Sequence, residues 1–168
     1  MGKLVQVATN TVTSAVASVT LTGIDSDDVY MVAIKDFTPA TDNVSVSLRF
    51  TVSGTADTSA NYDRALKTLK ANTTFSNTSS TNQTELLVGN IGTGTSESFN
   101  GIYYLYNFNN SSEYSFVTQE VVARDLNGNL LGGQGGGVLT VGQTTDGVVF
   151  KTTSGNIASG VFTMYKVL

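Results

Sequence analysis

"NVSVSLRFTVSG", residues 43–54, is the stretch whose reading decides the fold class. Val44, Val46, Leu48, Phe50 and Val52 alternate with Ser45, Ser47, Arg49, Thr51 and Ser53. A strict period of two puts the first set on one face of a β-strand and the second set on the other. One face is therefore dry and the other wet, which is the pattern of a sheet packed on one side.

The same reading extends outward in both directions. "AVASVTLTGI" (15–24) alternates more weakly, with Val19 and Leu21 set against Ser18, Thr20 and Thr22, and "DDVYMVAIKDF" (27–37) is a longer apolar run that reads as a central strand. Pro39 is expected in the loop that follows, where its missing amide does no harm. Further strands are expected at about Leu86 to Gly89, Ile102 to Phe108, Tyr114 to Ala123, Gly137 to Val141, Val148 to Thr152 and Val161 to Val167. In "GIYYLYNF" (101–108), alternation assigns Tyr104, Tyr106 and Phe108 to the core and leaves Tyr103 facing the other way with Leu105.

The segment "ANYDRALKTLKANTTF" (60–75) admits two periods. Ala65, Leu66, Leu69 and Ala71 would mark one side of a short helix, whereas Tyr62, Arg64, Leu66, Thr68 and Lys70 alternate with Asp63, Ala65, Lys67, Leu69 and Ala71. The strand reading is preferred. The polar stretch "NTTFSNTSSTNQTE" (72–85) then reads as an exposed connection, and "DLNGNL" (125–130) as a hairpin with Asn127-Gly128 at its tip. The glycines of "GGQGGGVLTVG" (132–142) suit a bulge or a close approach by another chain segment, a neighbouring subunit included.

Together these elements predict an all-β protein: one antiparallel β-sandwich domain over residues 1–168, jelly-roll-like, with about ten short strands and an extended N-terminal arm at 1–12. The chain has 168 residues, enough for one core without staples. Cysteine and histidine are both absent, which removes disulfides, thiolate metal sites and the common nucleophile and base pairs.

The net charge is −4, and nine Lys and Arg residues form no run. That distribution argues against nucleic acid and against anionic membrane surfaces as partners. No stretch approaches the roughly 18 apolar residues of a membrane span, and no apolar core of an export signal is found at the start.

Candidate chemistry is sparse, and neither an enzyme nor a cofactor is expected. "DSDD" offers Asp25, Asp27 and Asp28 as oxygen ligands for a hard cation, and the turn offers Asp125, Asn127 and Asn129. The turn lacks the glycine position and distal Glu of a calcium loop, and for "DSDD" a solvated turn is the preferred reading, so no metal is assigned. Tyr103, exposed on the alternation reading and flanked by polar residues, is the candidate contact for a glycan.

The closing strand "GVFTMYKVL" (160–168) carries apolar side chains on both faces, Val161, Tyr165 and Val167 on one and Phe162, Met164 and Leu168 on the other. A strand of this kind needs cover on both sides. Phe162 and Tyr165, with Leu4, Val5 and Val7 of the expected arm, are accordingly the candidate assembly contacts.

Three stretches carry a family resemblance: "AVASVTLTGIDSDDVYMVAI" (15–34), "TADTSANYDRALK" (55–67) and "SGNIASGVFTMYKV" (154–167). They resemble a family of small virion structural proteins from phages of marine cyanobacteria and related marine bacteria. In that family a strand pair, an NYDRA-like segment and a final G-N-I-x-x-G-x-F-x-x-Y strand recur. The resemblance covers most of the chain through structural motifs, and it departs at Lys166, where a Gly is expected.

The resemblance implies a phage structural protein located in the virion and assembled in the host cytoplasm. A capsid decoration or cement protein is the leading form, because residues 1–168 include no long helix or shaft to anchor a fibre. The implied partners are other virion proteins, the major capsid protein or tail proteins, and further copies of the chain in a homo-oligomer, most simply a trimer. The alternative is a tail-fibre or spike module that binds host surface glycans.

Overall fold

The computed structural model of the chain describes residues 2–125 and 127–168; Met1 of the expected arm and Leu126 of the expected hairpin lie outside them. Among the described residues there is no helix, and thirteen strands account for the regular structure. In chain order they are β1 (Leu4–Val12), β2 (Ser18–Thr22), β3 (Tyr30–Pro39), β4 (Val44–Val52), β5 (Thr55–Ala56), β6 (Tyr62–Lys70) and β7 (Ser76–Gln83). There follow β8 (Leu86–Ile91), β9 (Phe99–Tyr106), β10 (Ser115–Arg124), β11 (Leu130–Leu139), β12 (Gly147–Thr152) and β13 (Ile157–Val167).

All pairings are antiparallel and form two sheets. The larger runs β1-β13-β3-β9-β10-β11-β6-β7, and the smaller runs β2-β12-β4-β5 with β8 also paired to β4. The sheets lie face to face in a sandwich-like arrangement around one core. Val46, Leu48 and Phe50 of β4 are fully buried, as their alternation requires.

Aromatic rings join the layers. Phe150 of β12 stands 5.8 Å from Phe162 of β13 and 5.3 Å from Tyr103 of β9, and Phe50 of β4 stands 5.6 Å from Tyr62 of β6. Such ring pairs each add about 0.5–1.5 kcal/mol beyond the area they bury.

The polar face of β4 is less wet than alternation alone predicts. Ser47 and Thr51 are buried on that face, where Thr51 Oγ1 donates to Asp146 Oδ1 at 2.6 Å. Arg49 and Lys151 close on Glu85 at 3.1 and 2.8 Å across the same side. Thr51 can be buried there because a loop supplies its partner, whereas the buried Ser47 Oγ has none.

Several expectations are corrected. Residues 4–12 are not a free arm; they are β1, paired along their length with β13 and bulged between Gln6 and Ala8. Pro39 is the last residue of β3 instead of a loop residue, and it sits opposite Ile157, a strand-end position where the lost donor is tolerated. The hydroxyl-rich stretch 76–83 is a strand, β7, at the open edge of the larger sheet. β1, β5 and β7 together raise the count from the expected ten to thirteen.

The ambiguous segment 62–70 is a strand, as preferred, because β11 and β7 pair with it on both sides. The glycine run forms most of β11, and its close neighbours belong to the same chain. A Cβ on Gly137 would meet the Leu86 side chain at 2.6 Å, one on Gly136 would meet Val117 O at 2.8 Å, and one on Gly135 would collide with Ala65 O. Bare backbone is what lets β11 sit between β10 and β6 in this form.

The "DLNGNL" turn joins β10 to β11 as expected, with Gly128 at φ 75°. Gly128 N donates to Asp125 O at 2.8 Å, and Asp125 Oδ1 accepts from Asn127 N and Asn129 N, both at 2.9 Å. The amide of Asn129 first, then that of Asn127, holds the Asp125 carboxyl below the ordinary carboxylate range. The carboxylate is thus the internal brace of its own turn.

Candidate functional site

The outward face of the larger sheet carries the main exposed apolar surface. Strand register aligns Tyr165 with Met31 and Met31 with Tyr104, while one row along it aligns Thr163 with Ala33 and Ala33 with Ile102. Phe116 pairs with Tyr106 on the far side of β9. Ile102, Tyr104, Phe116 and Val122 are each about two-fifths exposed, at 42%, 39%, 42% and 45%.

This surface arises because β3, β9 and β10 alternate apolar residues on both faces, while only the inward set has a second sheet to cover it. Val117 and Val121 of β10 are buried, and the flanking Phe116 and Val122 look outward. Lys35 and Gln134 border the apolar rows, while Thr118 and Glu120 of β10 stand opposite Tyr104 and Ile102 between Phe116 and Val122; Gln134 Nε2 donates to Glu120 Oε1 at 3.0 Å. An apolar centre with a polar margin is the make-up of a protein contact surface.

Of the five predicted assembly residues, two belong to this face. Tyr165 is half-buried on it, and Leu4 lies half-exposed on the edge strand opposite Val167. Val5 is half-buried opposite Lys166, and Val7 packs against the core beside Gly23. Phe162 is fully buried, so its assignment as an assembly contact is corrected: β13 lies inside the sheet, between β1 and β3, and its Phe162 and Met164 fill the core.

Tyr103 is corrected as well. It is fully buried against Phe150, with no hydrogen-bond partner for its hydroxyl, and burial raises that hydroxyl's pKa far above its ordinary value. A glycan has no access to it. The face assignment of 101–108 was inverted because Asn107, at φ 59°, breaks the alternation after β9. Phe108 returns to the core by that turn, so its burial says nothing about Tyr104 and Tyr106.

The "DSDD" carboxylates are engaged by the chain itself. Lys166 Nζ lies 2.8 Å from Asp28 Oδ2 and 3.6 Å from Asp25 Oδ1, and it donates to Ser26 Oγ at 2.6 Å. Tyr30 donates its hydroxyl to Asp25 Oδ1 at 2.9 Å, and Asn110 Nδ2 donates to Asp27 Oδ2 at 3.0 Å. The hydrogen bond from Tyr30, then the Lys166 charge, holds Asp25 below the ordinary range; Lys166, then Ser26, does the same for Asp28. An ammonium stands where a bound cation would be placed, and among the described residues no group of three or more acidic side chains is spaced to hold a metal.

Sequence reading missed Met31, Ile102, Tyr104, Phe116 and Val122. The available signal was "SFVTQEVVAR" (115–124), whose even-numbered residues include Phe116 and Val122 in a strand whose odd-numbered set already holds Val117, Val121 and Ala123. Comparison of the chain with protein-family models, with curated proteins and with solved structures finds no match.

Proposed function

We propose that this chain is a phage virion structural protein that works by adhesion through the outward face of its larger sheet, most simply as a capsid decoration or cement protein. The observation that carries the reading is the group of outward apolar side chains on adjacent strands, Tyr165, Met31, Ile102, Tyr104, Phe116 and Val122, interrupted on β10 only by Thr118 and Glu120. Many copies binding weakly through such a face would hold a shell by avidity. The implied partners are the major capsid or tail proteins and further copies of the chain, with a trimer as the simplest symmetric form.

We read the fold more finely as a jelly roll with two insertions. The order β1-β13-β3-β9 opposed to β2-β12-β4-β8 supports this, since the eight strands taken in chain order alternate between sheets except at the paired neighbours β4 and β8, in the manner of a double Greek key. The hairpin β10-β11 and the strands β6 and β7 widen one sheet beyond that framework. The same fold has other uses, so the role rests on the face and on the family resemblance of residues 15–34, 55–67 and 154–167.

Two measurements test the reading. Quantified proteins of purified virions should include this chain in numbers comparable to the shell subunits; a handful of copies per particle would favour the tail, and absence would reject the role. Tyr104→Asp and Tyr165→Asp should leave a folded monomer that no longer enters particles. Unchanged incorporation of both variants would remove the outward face from the mechanism.

A further inference from the structure

The larger sheet has eight strands and the sheet it faces has fewer, so the inward face of β6, β7 and part of β11 overhangs beyond β8. Beneath the overhang is a cleft of about 360 Å³, at the small end of the ~300–1,000 Å³ usual for ligand sites. Arg64 and Lys70 of β6, Gln119 of β10 and Asn90 of β8 line it with hydroxyl side chains, and no lining residue is acidic.

A buried amide in this cleft lacks a hydrogen-bond partner, and a half-buried cation there lacks a counter-charge. Gln119 is only 5% exposed, and its Nε2 has no hydrogen-bond partner. Arg64 donates through Nε to Ser80 Oγ at 3.0 Å and through Nη1 to Leu87 O, yet no carboxylate lies within ion-pair distance among the described residues. Burial without a counter-charge holds the Arg64 pKa below its ordinary value. An unpaired buried amide and a half-buried cation with no counter-charge both favour a ligand that completes them.

The remaining lining indicates what that ligand is. Gly133 presents bare backbone, Leu66 and Leu87 present apolar side chains, and Thr68, Ser76, Thr78 and Asn90 present hydroxyl and amide groups. We propose that the cleft binds a saccharide carrying a carboxylate, a hexuronate unit, with the acid on Arg64, ring hydroxyls on Gln119 and Asn90, and the apolar edge of the ring on Leu66. Lys70, at the other end of the cleft, extends the positive field over its length. The site lies on the inward side of the sheet and does not depend on the assembly role of the outward face.

Titration of the isotope-labelled chain with glucuronate, followed by amide NMR, tests the site. Saturable shifts are expected at Leu66, Gly89 and Gly133 and not at Tyr104. Glucose, which lacks the charge-assisted hydrogen bond, and inorganic phosphate, which lacks the ring and its contacts, should each bind at least about tenfold more weakly. Arg64→Gln and Gln119→Met should each weaken glucuronate about tenfold or more; if Arg64→Gln does not fold, Gln119→Met carries the comparison. Absence of shifts at the cleft, equal binding of glucose or phosphate, or unchanged affinity in Gln119→Met would each overturn the proposal.

Discussion

Lys166, near the end of β13, brings its Nζ to 2.8 Å from Asp28 Oδ2, in the loop that leads into β3. The contact joins residues 138 positions apart by their numbers and rests on the β13–β3 pairing that sets Lys166 opposite Tyr30. It also settles the run of acidic residues at 25–28, because the ammonium sits among Asp25, Ser26 and Asp28 and nearly 6 Å, at 5.9 Å, from the centre of the Tyr30 ring.

The pH dependence follows from the direction of each shift. Asp25 and Asp28 are lowered from 3.8, so what they contribute is present above that value and is lost as acid carries the pH through their folded pKa values. Lys166 is raised from 10.5, so its contribution is complete below that value and is lost as pH rises beyond it. Lys166→Met should lower the thermal midpoint at neutral pH, and the gap from the parent should narrow below pH 3.8 and above pH 10.5. A gap that stays constant from pH 2 to 7 would assign the loss to packing against Tyr30.

Two buried tyrosines should respond oppositely to loss of their hydroxyls. Tyr62 accepts from Phe50 N at 3.0 Å and donates to Asp57 O at 3.1 Å, whereas the Tyr103 hydroxyl has no partner. Tyr62→Phe should cost about 1–3 kcal/mol by leaving the Phe50 amide and the Asp57 carbonyl unpaired. Tyr103→Phe should be neutral or stabilise by up to about 1 kcal/mol. Urea unfolding of the pair reads both, and a costly Tyr103→Phe would reveal a partner for that hydroxyl.

Phe162 is the ring through which β13 joins the layers, 5.6 Å from Phe37 and 5.8 Å from Phe150. Phe162→Ala should cost about 3–5 kcal/mol through the cavity it leaves. Denaturant unfolding should show a lower midpoint at unchanged slope, and a loss under about 1 kcal/mol would mean that the site collapses to fill the space.

Glycine in β11 is required by contact more than by chain flexibility. Gly135→Ala sets a methyl against Ala65 O and should cost at least about 2 kcal/mol. Gly54→Ala, where φ is 74° and no atom lies within 4 Å of the added carbon, should cost only about 1–2 kcal/mol of backbone strain. Equal losses in the two variants, measured by calorimetry, would remove the steric account of the glycine run.

Much of the strand pattern is legible in the residues. Val44 to Val52 declare their faces because side-chain direction alternates locally along any strand. Tyr62 to Lys70 alternate strongly enough to prefer a strand over a helix, and Asn127-Gly128 marks the β10–β11 turn. Less legible was any strand whose identity comes from its neighbour: β7 is built from Ser, Thr, Asn and Gln and exists because β6 offers it a free edge.

What the sequence by itself determined is therefore the class of structure, its short antiparallel strands and its lack of disulfides, since these follow from local periodicity and composition. The tertiary structure decided which apolar face meets the second sheet, and no local rule contains that information when both faces are apolar. It reversed Tyr103 and Tyr104, enclosed Phe162 and drew the acidic run at 25–28 around Lys166. It also made one sheet wider than the other, so the cleft at Arg64 and Gln119 follows from the count of strands in each layer and has no motif of its own.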